Sequence, residues 1–435
     1  ILAADESTPT CTKRFKNLGI ESTSESRNFY RNLLFTSLDI EKYMSGIILF
    51  DETFYQTELS TGMTFPEYLI SKDILPGIKV DKGLEDFGSG EKLTLGLDGL
   101  SERLAKYYAL GARFAKWRAV ITPGNGIPTD DCILANAENL AKYALKCQQT
   151  NLVPIVEPEV LMDGSHTIDD SFEITSRTLN TVFDQLENHK VNLQGIILKP
   201  NMVLSGYNCS YQADITEVAE KTVNCLSAHV PAEVPGIAFL SGGQSDEDAT
   251  MHLNEMNKYE TDWNLTFSYG RALQQPALKA WSGNSENVEK AQGVFIERAK
   301  ANSLATAAGL SPIGGAAGGT ARGIFSRVAP PVSKAWNYSP FKGPGFQPTV
   351  GNVVNTGFLA EGIRQIPTSV SNIIEDPSLT NAGVLALNAA AIAFPGNTGF
   401  KYFKPGSGSG GFIDDASRSL VVNTNEGRKY IRRSK

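Results

Sequence analysis

The sequence predicts an α/β protein whose eight parallel strands and crossover helices close into a (β/α)8 TIM barrel. The first observation is a series of eight short apolar runs, separated by segments long enough to hold a helix. The second is that several of these segments carry apolar residues at the three- and four-residue spacing of amphipathic helices. The third is that polar or charged residues follow seven of the eight runs, where barrel enzymes place their active sites.

The apolar runs predict the strand positions. They are Ile1–Ala4, Ser45–Phe50, Leu75–Val80, Ala112–Arg118, Val153–Glu159, Gln194–Pro200, Gly236–Gly242 and Leu265–Gly270. Helical spacing is clearest in Leu100–Ala109 and Asn136–Gln149, and it is weaker in Thr216–Leu226. An open doubly wound sheet is the alternative, but it usually shows a GxGxxG turn after its first strand, which is absent here. Because the first run starts abruptly at residue 1, we expect a barrel that is incomplete at its N-terminus.

Composition limits the classes of function. The 435 residues carry a formal net charge of -7, which gives no basic footprint for a nucleic-acid partner. The five cysteines form no CxxC pair, which fits a reducing compartment and predicts a cytoplasmic protein. The four histidines fall away from the strand ends, so we expect no metal site. The longest apolar run, 382–395, is too short and too interrupted to span a membrane.

The run Gln194–Pro200 places a lysine at the end of a strand that is buried on both faces. Lys199 is followed by a proline, which cannot donate to a strand ladder. A charge in such a place is costly unless it is paired, and an unprotonated lysine is a nucleophile towards carbonyl carbons. The alternative is a lysine that simply leaves the barrel and extends into solvent.

Other strand ends supply partners for this lysine. Neighbouring strands lie about 4.8 Å apart, so Lys199 is one strand from Glu157 and two strands from Lys116. A second ammonium group and desolvation both favour the free amine of Lys199, which can then attack a ketone and form an iminium. Glu157 is placed to transfer protons, and Asp5 on the first strand could take a hydroxyl proton as a carbon–carbon bond breaks.

Two further groups of residues have the character of anion sites. The turns 241–243 and 268–271 put small residues before a predicted helix start, where backbone amides and the helix dipole favour a phosphate. Tight-turn geometry alone would also explain the first of these turns. A second cationic group is predicted on the other side of the barrel, formed by Lys79, Arg118 and Arg14. Two anion sites on either side of one amine suggest a ketose that carries a phosphate at each end.

These residues occur in motifs that resemble a known family. In chain order the motifs are ILAADEST, GIKVDKG, FAKWR, PIVEPE, LKPNM, FLSGGQS and TFSYGRAL. From Ile1 to about Leu304 they resemble the class I (Schiff-base) fructose-bisphosphate aldolases. The resemblance implies a lyase without metal or other cofactor, usually a homotetramer. It would reversibly cleave fructose 1,6-bisphosphate into glyceraldehyde 3-phosphate and dihydroxyacetone phosphate.

The resemblance also implies roles for individual residues. Lys199 would be the Schiff-base lysine, with Glu157 and Glu159 as the acid–base pair. Asp5 and Lys116 would assist bond cleavage. One phosphate would be held by Ser241, Gly242, Ser268, Gly270 and Arg271, and the other by Ser7, Arg14, Lys79 and Arg118.

The chain departs from the family in three places, the first of which is the absence of the family's opening helix and part of its first strand before Ile1. Pro9 stands where the family carries glycine, and its fixed φ would reshape the loop that holds Ser7 and Arg14. Animal-type members end in a tail whose terminal tyrosine reaches the active site, whereas this chain continues, and Tyr430 is no evident substitute. We therefore divide the chain into a barrel domain, 1–307, and a Gly/Pro/Ala-rich irregular extension, 308–435.

The extension supports a second hypothesis about function. A Gly/Ala-rich linker is predicted at 308–320 and one alanine-rich helix at 386–393. Its glycines and prolines argue against a compact core, while its apolar pieces argue against simple disorder, so we expect a tether that binds a protein partner. The alternative to an active aldolase is thus an aldolase-fold structural subunit, anchored in a larger assembly by this extension. Another Schiff-base lyase, such as a transaldolase, is disfavoured by the paired anion sites.

Overall fold

The computed structural model describes residues 1–307 and four strands between residues 401 and 432. The chain divides into two compact units, residues 1–340 and residues 341–435. The predicted linker at 308–320 and the predicted helix at 386–393 lie outside the described residues. The proposed boundary at residue 307 therefore stays a prediction.

Residues 1–307 of the first unit contain ten strands. They are β1 (Leu2–Ala4), β2 (Gly46–Leu49), β3 (Leu75–Lys79), β4 (Leu84–Gly88), β5 (Glu91–Thr94), β6 (Phe114–Ile121), β7 (Val153–Val160), β8 (Ile197–Leu198), β9 (Gly236–Phe239) and β10 (Asn264–Phe267). Eight of them form one parallel sheet in the order β1-β2-β3-β6-β7-β8-β9-β10, which confirms the predicted barrel. Strands β4 and β5 form a separate antiparallel hairpin that the sequence analysis did not predict.

The sheet closes between its first and last strands. Leu2 makes a parallel bridge to Tyr269, and the amide of Ala3 donates to the Tyr269 carbonyl at 2.9 Å. The short first strand is thus paired on both sides, and the ring of strands is complete. The expectation of a barrel left open at its N-terminal strand is therefore wrong. Strand β8 is shorter than the predicted run because Leu193–Gly195 forms a 3-10 turn, in which the Asn192 side chain accepts from the amide of Gln194.

Eleven helices of the described residues accompany the strands. They are α1 (Thr8–Lys16), α2 (Ser24–Phe35), α3 (Asp51–Phe54), α4 (Phe65–Ser71), α5 (Leu100–Ala109), α6 (Asp130–Gln149), α7 (Ile168–Asn188), α8 (Ile215–His229), α9 (Asp246–Met256), α10 (Arg271–Trp281) and α11 (Val288–Ala307). The three helices named from sequence spacing correspond to α5, α6 and α8. Thr23, Thr64 and Thr167 begin α2, α4 and α7 with capping boxes, which satisfy amides that a helix start leaves free. None of the helices in this part of the chain is both long and apolar enough to cross a membrane.

The strands bury two different faces. Residues such as Leu2, Ile47 and Ile237 face outwards and join the helices in the main hydrophobic core. Alternate residues face inwards and form a separate apolar cluster inside the ring: Ile1, Ala3, Ile48, Phe114, Val153, Ile155, Ile197 and Ala238. Because strand side chains alternate with a period of two, the same parity fixes which later residues point into the barrel mouth.

Phe114 forms the floor of the barrel. It lies on β6 and is almost fully buried. A Cβ atom at Gly77 on β3 would lie 2.2 Å from the Phe114 ring, and one at Gly46 on β2 would lie 3.0 Å away. The two glycines therefore provide the space for the ring, which closes the interior below the polar layer.

The second unit contains a four-stranded antiparallel sheet. Its strands are β11 (Lys401–Phe403), β12 (Gly410–Asp414), β13 (Ser419–Thr424) and β14 (Gly427–Arg432), paired in sequential order. These strands differ from the irregular extension that the sequence predicts.

Candidate active site

The inward parity of the strands carries the charged residues into the barrel mouth. On β7, Ile155 belongs to the interior apolar cluster, and Glu157 and Glu159 follow at steps of two. The same step leads from Ile197 to Lys199 after β8. It also places the remaining predicted groups of the strands in the mouth: Asp5, Lys79, Lys116 and Arg118. The alternation of side chains along the strands thus places an apolar layer inside the barrel and a charged layer above it at the mouth.

Four of these side chains form a buried ionic cluster. The Lys116 Nζ atom lies 2.7 Å from Asp5 Oδ2 and 3.3 Å from Glu157 Oε2. The other Glu157 oxygen, Oε1, lies 3.2 Å from the Lys199 Nζ atom. The Lys199 side chain is 4% exposed, so it does not extend into bulk solvent. The structure thus brings together Asp5, Lys116, Glu157 and Lys199, with Glu157 between the two ammonium groups.

The charges in this cluster set the protonation states of its carboxylates. Burial alone would raise the pKa of Asp5, but the ammonium groups of Lys116 and Lys199 outweigh it and hold that pKa well below its ordinary value. The pKa of Glu157 is likewise lowered, because Lys116, Lys199 and Arg118 together overcome the effect of burial. Burial would lower the pKa of Lys116, yet Asp5 and Glu157 raise it above the usual lysine value. Both carboxylates are therefore ionised at neutral pH and can accept a proton.

Glu159 lies beside Arg118. The predicted acid–base role of Glu159 with Glu157 stays a prediction, and its Oε2 atom is ion-paired with Nε of Arg118. This pair also raises the pKa of Arg118, although burial opposes the shift. Glu159 thus connects the central cluster to one of the predicted phosphate-binding cations.

The first predicted anion site lies after β9 and β10. Gly242 and Gly243 adopt left-handed φ angles of 58° and 97°, which favour glycine. Helix α10 starts at Arg271 with Gly270 as its N-cap and no side chain satisfying its first amides. The Ser268 hydroxyl is buried and has no hydrogen-bond partner among the described residues. Ser241 is buried in the same group of loops. A polar recess with free donors at a helix start suits an anion.

The second predicted anion site is divided between two elements. Lys79 is ion-paired with Asp81, which also accepts from the amide of Arg118 at 3.4 Å. Within residues 1–307, Arg14 on α1 pairs with Glu6 instead of joining Lys79 and Arg118. Ser7 is the N-cap of α1, and its hydroxyl lies 3.1 Å from Oγ1 of Thr10. Each predicted cation on this side therefore already has an acidic partner.

Pro9 does not disrupt this region. It lies in the first turn of α1, which runs from Thr8 to Lys16. The amides of a first helical turn have no intrahelical partner, and the fixed φ of proline suits this position. The expected distortion of the loop between Ser7 and Arg14 is thus absorbed by the helix start.

A second buried network, which the sequence patterns did not predict, lies beside the site. Glu6 accepts from Arg31 at 2.6 Å and from Gln274 at 2.8 Å, in addition to its pair with Arg14. Gln274 also donates to the carbonyl of Ala3 at 2.6 Å. The only sequence signal was the position of Glu6 directly after Asp5, because its partners lie on α1, α2 and α10. The network fastens these three helices to β1.

No group of three or more histidine, cysteine, aspartate or glutamate side chains among the described residues is placed to hold a metal ion.

Comparison with known proteins places the barrel in a family. The family model described as "Glycolytic: Fructose-bisphosphate aldolase class-I" matches residues 1–323. The probable fructose-bisphosphate aldolase class 1 of Xanthomonas campestris is 54% identical over 309 residues, covering 70% of this chain and 92% of that protein. Fructose-bisphosphate aldolase 1 of Toxoplasma gondii is 53% identical over 324 residues, covering 73% of this chain and 88% of that protein.

A solved structure agrees with these relatives. It is the ternary complex of fructose-bisphosphate aldolase from Plasmodium falciparum with TRAP and a small molecule inhibitor. It matches with a TM-score of 0.69 and 50% identity, covering 71% of this chain and 90% of that one.

The fold and the site define a (β/α)8-barrel enzyme with lysines and carboxylates buried at the barrel mouth. More specifically, the chain belongs to the class I fructose-bisphosphate aldolases, the glycolytic lyases that reversibly cleave fructose 1,6-bisphosphate. The family resemblance noted in the sequence is thus confirmed.

Proposed function

We propose that this aldolase cleaves fructose 1,6-bisphosphate through a Schiff base on Lys199. The observation that carries the proposal is a buried Lys199 Nζ atom 3.2 Å from an ionised carboxylate, Glu157. Glu157 can take a proton from the ammonium group, and the amine then attacks the C2 ketone of the sugar. The product of this addition is a carbinolamine that must lose water to become an iminium.

Glu157 is the proposed proton carrier for the loss of water. Having accepted a proton, it can return it to the carbinolamine hydroxyl, which leaves as water while the nitrogen lone pair forms the C=N bond. Glu159 would assist from its position beside Arg118. Lys116 balances the charge of Glu157 during these transfers, since its Nζ lies 3.3 Å from the other carboxylate oxygen.

The iminium then acts as an electron sink. A base removes the proton of the C4 hydroxyl, the C3–C4 bond breaks, and its electron pair forms the enamine with C2 while C4 becomes an aldehyde. We assign the base to Asp5, which is ionised and lies 2.7 Å from Lys116 at the mouth. Glyceraldehyde 3-phosphate leaves, and protonation and hydrolysis of the enamine release dihydroxyacetone phosphate and restore Lys199.

The two phosphates would occupy opposite sides of the mouth. The site after β9 and β10 is supported by the unpartnered Ser268 hydroxyl and by the free amides at the start of α10. On the other side the phosphate would compete with the carboxylates that now hold the cations. These proposed contacts are made by Ser241, Gly242, Ser268, Gly270 and Arg271 on one side, and by Lys79, Arg118, Ser7 and Arg14 on the other.

Borohydride trapping tests the Schiff base directly. Incubation with dihydroxyacetone phosphate and sodium borohydride should fix one adduct, which peptide mass spectrometry should locate at Lys199. Lys199→Met should abolish the adduct, whereas Lys221→Met, which removes a lysine of α8 paired with Asp169, should retain it. An enzyme that turns over the sugar without forming an adduct on Lys199 would contradict the proposal. A substrate panel separates this activity from that of a transaldolase.

We also propose the assembly and location that the family resemblance suggests. The barrel would form a homotetramer in the cytoplasm, as spinach has a relative named the cytoplasmic isozyme. Residues 308–435 would bind a protein partner, and if the chain proved inactive, this binding would favour the structural-subunit alternative. Light scattering of the full chain measures the oligomer. Pull-down with the full chain and with a chain ending at residue 307 tests the extension, and equal capture by both would count against it.

A further inference from the structure

The loop after β8 carries a tyrosine over the glycine turn of the first anion site. Tyr207 lies close to Gly243, where a Cβ atom would lie 1.9 Å from the tyrosine hydroxyl oxygen. The same Cβ atom would lie 2.9 Å from Nη2 of Arg271. The phenol and the guanidinium therefore converge on one face of Gly243, which is open because that residue has no side chain.

The backbone holds this tyrosine in place. The amide of Tyr207 donates to the carbonyl of Met162 at 2.9 Å, and its neighbours Gly206 and Asn208 donate to His166 at 2.9 Å and to Gly164 at 2.8 Å. Three consecutive amides thus tie the loop after β8 to the loop after β7. A side chain bound to such a fixed backbone can be positioned before a ligand arrives.

The tyrosine hydroxyl has one engaged side and one nearly free side. Its oxygen lies beside Nη2 of Arg271, since these atoms lie 1.9 Å and 2.9 Å from the position that a Cβ atom of Gly243 would take. Its own proton points to the Gly242 carbonyl at 3.4 Å, well beyond the usual 2.7 to 2.8 Å of an O–H···O bond. Burial raises the pKa of Tyr207 and outweighs the opposing effect of Arg271, so the phenol remains a donor at neutral pH.

We propose that Tyr207 is a further phosphate-binding residue, which holds Arg271 over the Gly242–Gly243 turn and turns its O–H towards a phosphate oxygen. The inference rests on the proposed function, since it assumes that this recess receives a phosphate of the sugar. It adds a ligand contact from the loop after β8 to those from the loops after β9 and β10. Neither the sequence motifs nor the strand parity pointed to this residue.

A pair of tyrosine variants provides the test. Tyr207→Phe removes only the hydroxyl. Tyr211→Phe is the matched control, because Tyr211 is exposed on the same loop and its hydroxyl donates to Glu217 at 2.8 Å, away from the turn. The probe is inorganic phosphate, measured as a competitive inhibitor of fructose 1,6-bisphosphate cleavage. We expect Tyr207→Phe to raise the inhibition constant about tenfold, as for the loss of a hydrogen bond to a charged group. The Michaelis constant should rise by more than kcat falls. The control should stay within about twofold of the parent.

A double-mutant cycle tests the geometry itself. Gly243→Ala is strained in any background, because φ at this position is 97°. In the parent its Cβ would also collide with the Tyr207 hydroxyl, and Tyr207→Phe leaves the ring carbon at 3.2 Å as the nearest atom of that side chain. The backbone strain cancels in the cycle. We therefore expect Gly243→Ala to weaken phosphate inhibition at least about fivefold less when it is combined with Tyr207→Phe than when it is made alone.

Two results would overturn the inference. One is a Tyr207→Phe enzyme whose phosphate inhibition matches that of the Tyr211→Phe control. The other is an equal effect of Gly243→Ala in both backgrounds. Borohydride trapping of Lys199 in the parent separates this failure from that of the proposed function. If borohydride still traps Lys199, only the proposed role of Tyr207 is refuted. If it does not, the Schiff-base mechanism is refuted first.

Discussion

Replacing Glu157 by glutamine should cost both stability and turnover. The substitution keeps the shape of the side chain but removes the negative charge that lies between Lys116 and Lys199. The three side chains are 4% to 5% exposed, so solvent screens the lost attraction only weakly. Removing one partner of a buried ion pair typically costs about 3 to 5 kcal/mol.

The contacts of Lys116 indicate which end of this free-energy range applies. Lys116 would keep Asp5 as a partner at 2.7 Å, so the uncompensated ammonium group is that of Lys199. We therefore expect the lower end, about 3 kcal/mol in the free energy of unfolding. Because Glu157 is also the proposed proton carrier, kcat should fall by roughly 10² to 10⁴.

The assay compares urea unfolding, followed by circular dichroism, with a coupled measurement of glyceraldehyde 3-phosphate release. Glu138→Gln is the control, since Glu138 pairs with Lys142 at 2.9 Å on the exposed side of α6, with both side chains over 40% exposed. That change should alter stability by less than about 0.5 kcal/mol. If Glu157→Gln unfolds like this control, the charge argument is wrong. If its turnover is unchanged, another group carries the proton.

Three further outcomes follow from the same structure. In the parent, the free energy of unfolding should fall as pH drops below about 4, because Asp5 takes up a proton at a higher pH in the unfolded chain than in the folded one. Lys116→Met should reduce or reverse this fall. The measurement is the urea midpoint of unfolding between about pH 7 and 3. Gly77→Ala should cost about 1 to 3 kcal/mol in urea unfolding, because its Cβ would overlap the Phe114 ring, and Phe114→Leu should recover part of the loss. Ser268→Ala should not reduce stability, since the buried hydroxyl lacks a partner among the described residues, but it should raise KM for the bisphosphate about tenfold.

Each of these outcomes can fail in a recognisable way. Equal acid slopes for the parent and Lys116→Met would mean that the ion pair does not lower the pKa of Asp5. If the losses in free energy of unfolding caused by Gly77→Ala and Phe114→Leu simply add, the proposed overlap between the Cβ atom and the ring is wrong. A destabilised Ser268→Ala enzyme with an unchanged KM would show a structural role for the hydroxyl.

The fold was predictable because each barrel strand is a short apolar run bounded by polar residues. The inward residues Asp5, Lys116, Glu157 and Lys199 could be named from sequence because the end of a parallel strand fixes their height in the barrel. The β4–β5 hairpin was missed, since the residues of β4 are all exposed and show no apolar run.

Pairings between strands and helices were harder to predict than positions along strands. Glu159 meets Arg118 because β6 and β7 are in register, with Arg118 opposite Glu157, and a sequence does not state the register. Glu6 meets Gln274 across 268 residues of chain, so no local pattern links them. Tyr207 depends on loop-to-loop hydrogen bonds, which leave no periodic signal.

Because Phe114 closes the interior, the barrel is open to a substrate at one end only. A sugar that binds above the apolar layer cannot leave through the opposite end, because the Phe114 ring fills the space over Gly46 and Gly77. The reactant and both products must therefore enter and leave at the same end of the barrel. Substrate entry and product release at this end, and not only bond breaking, can then limit the rate of turnover.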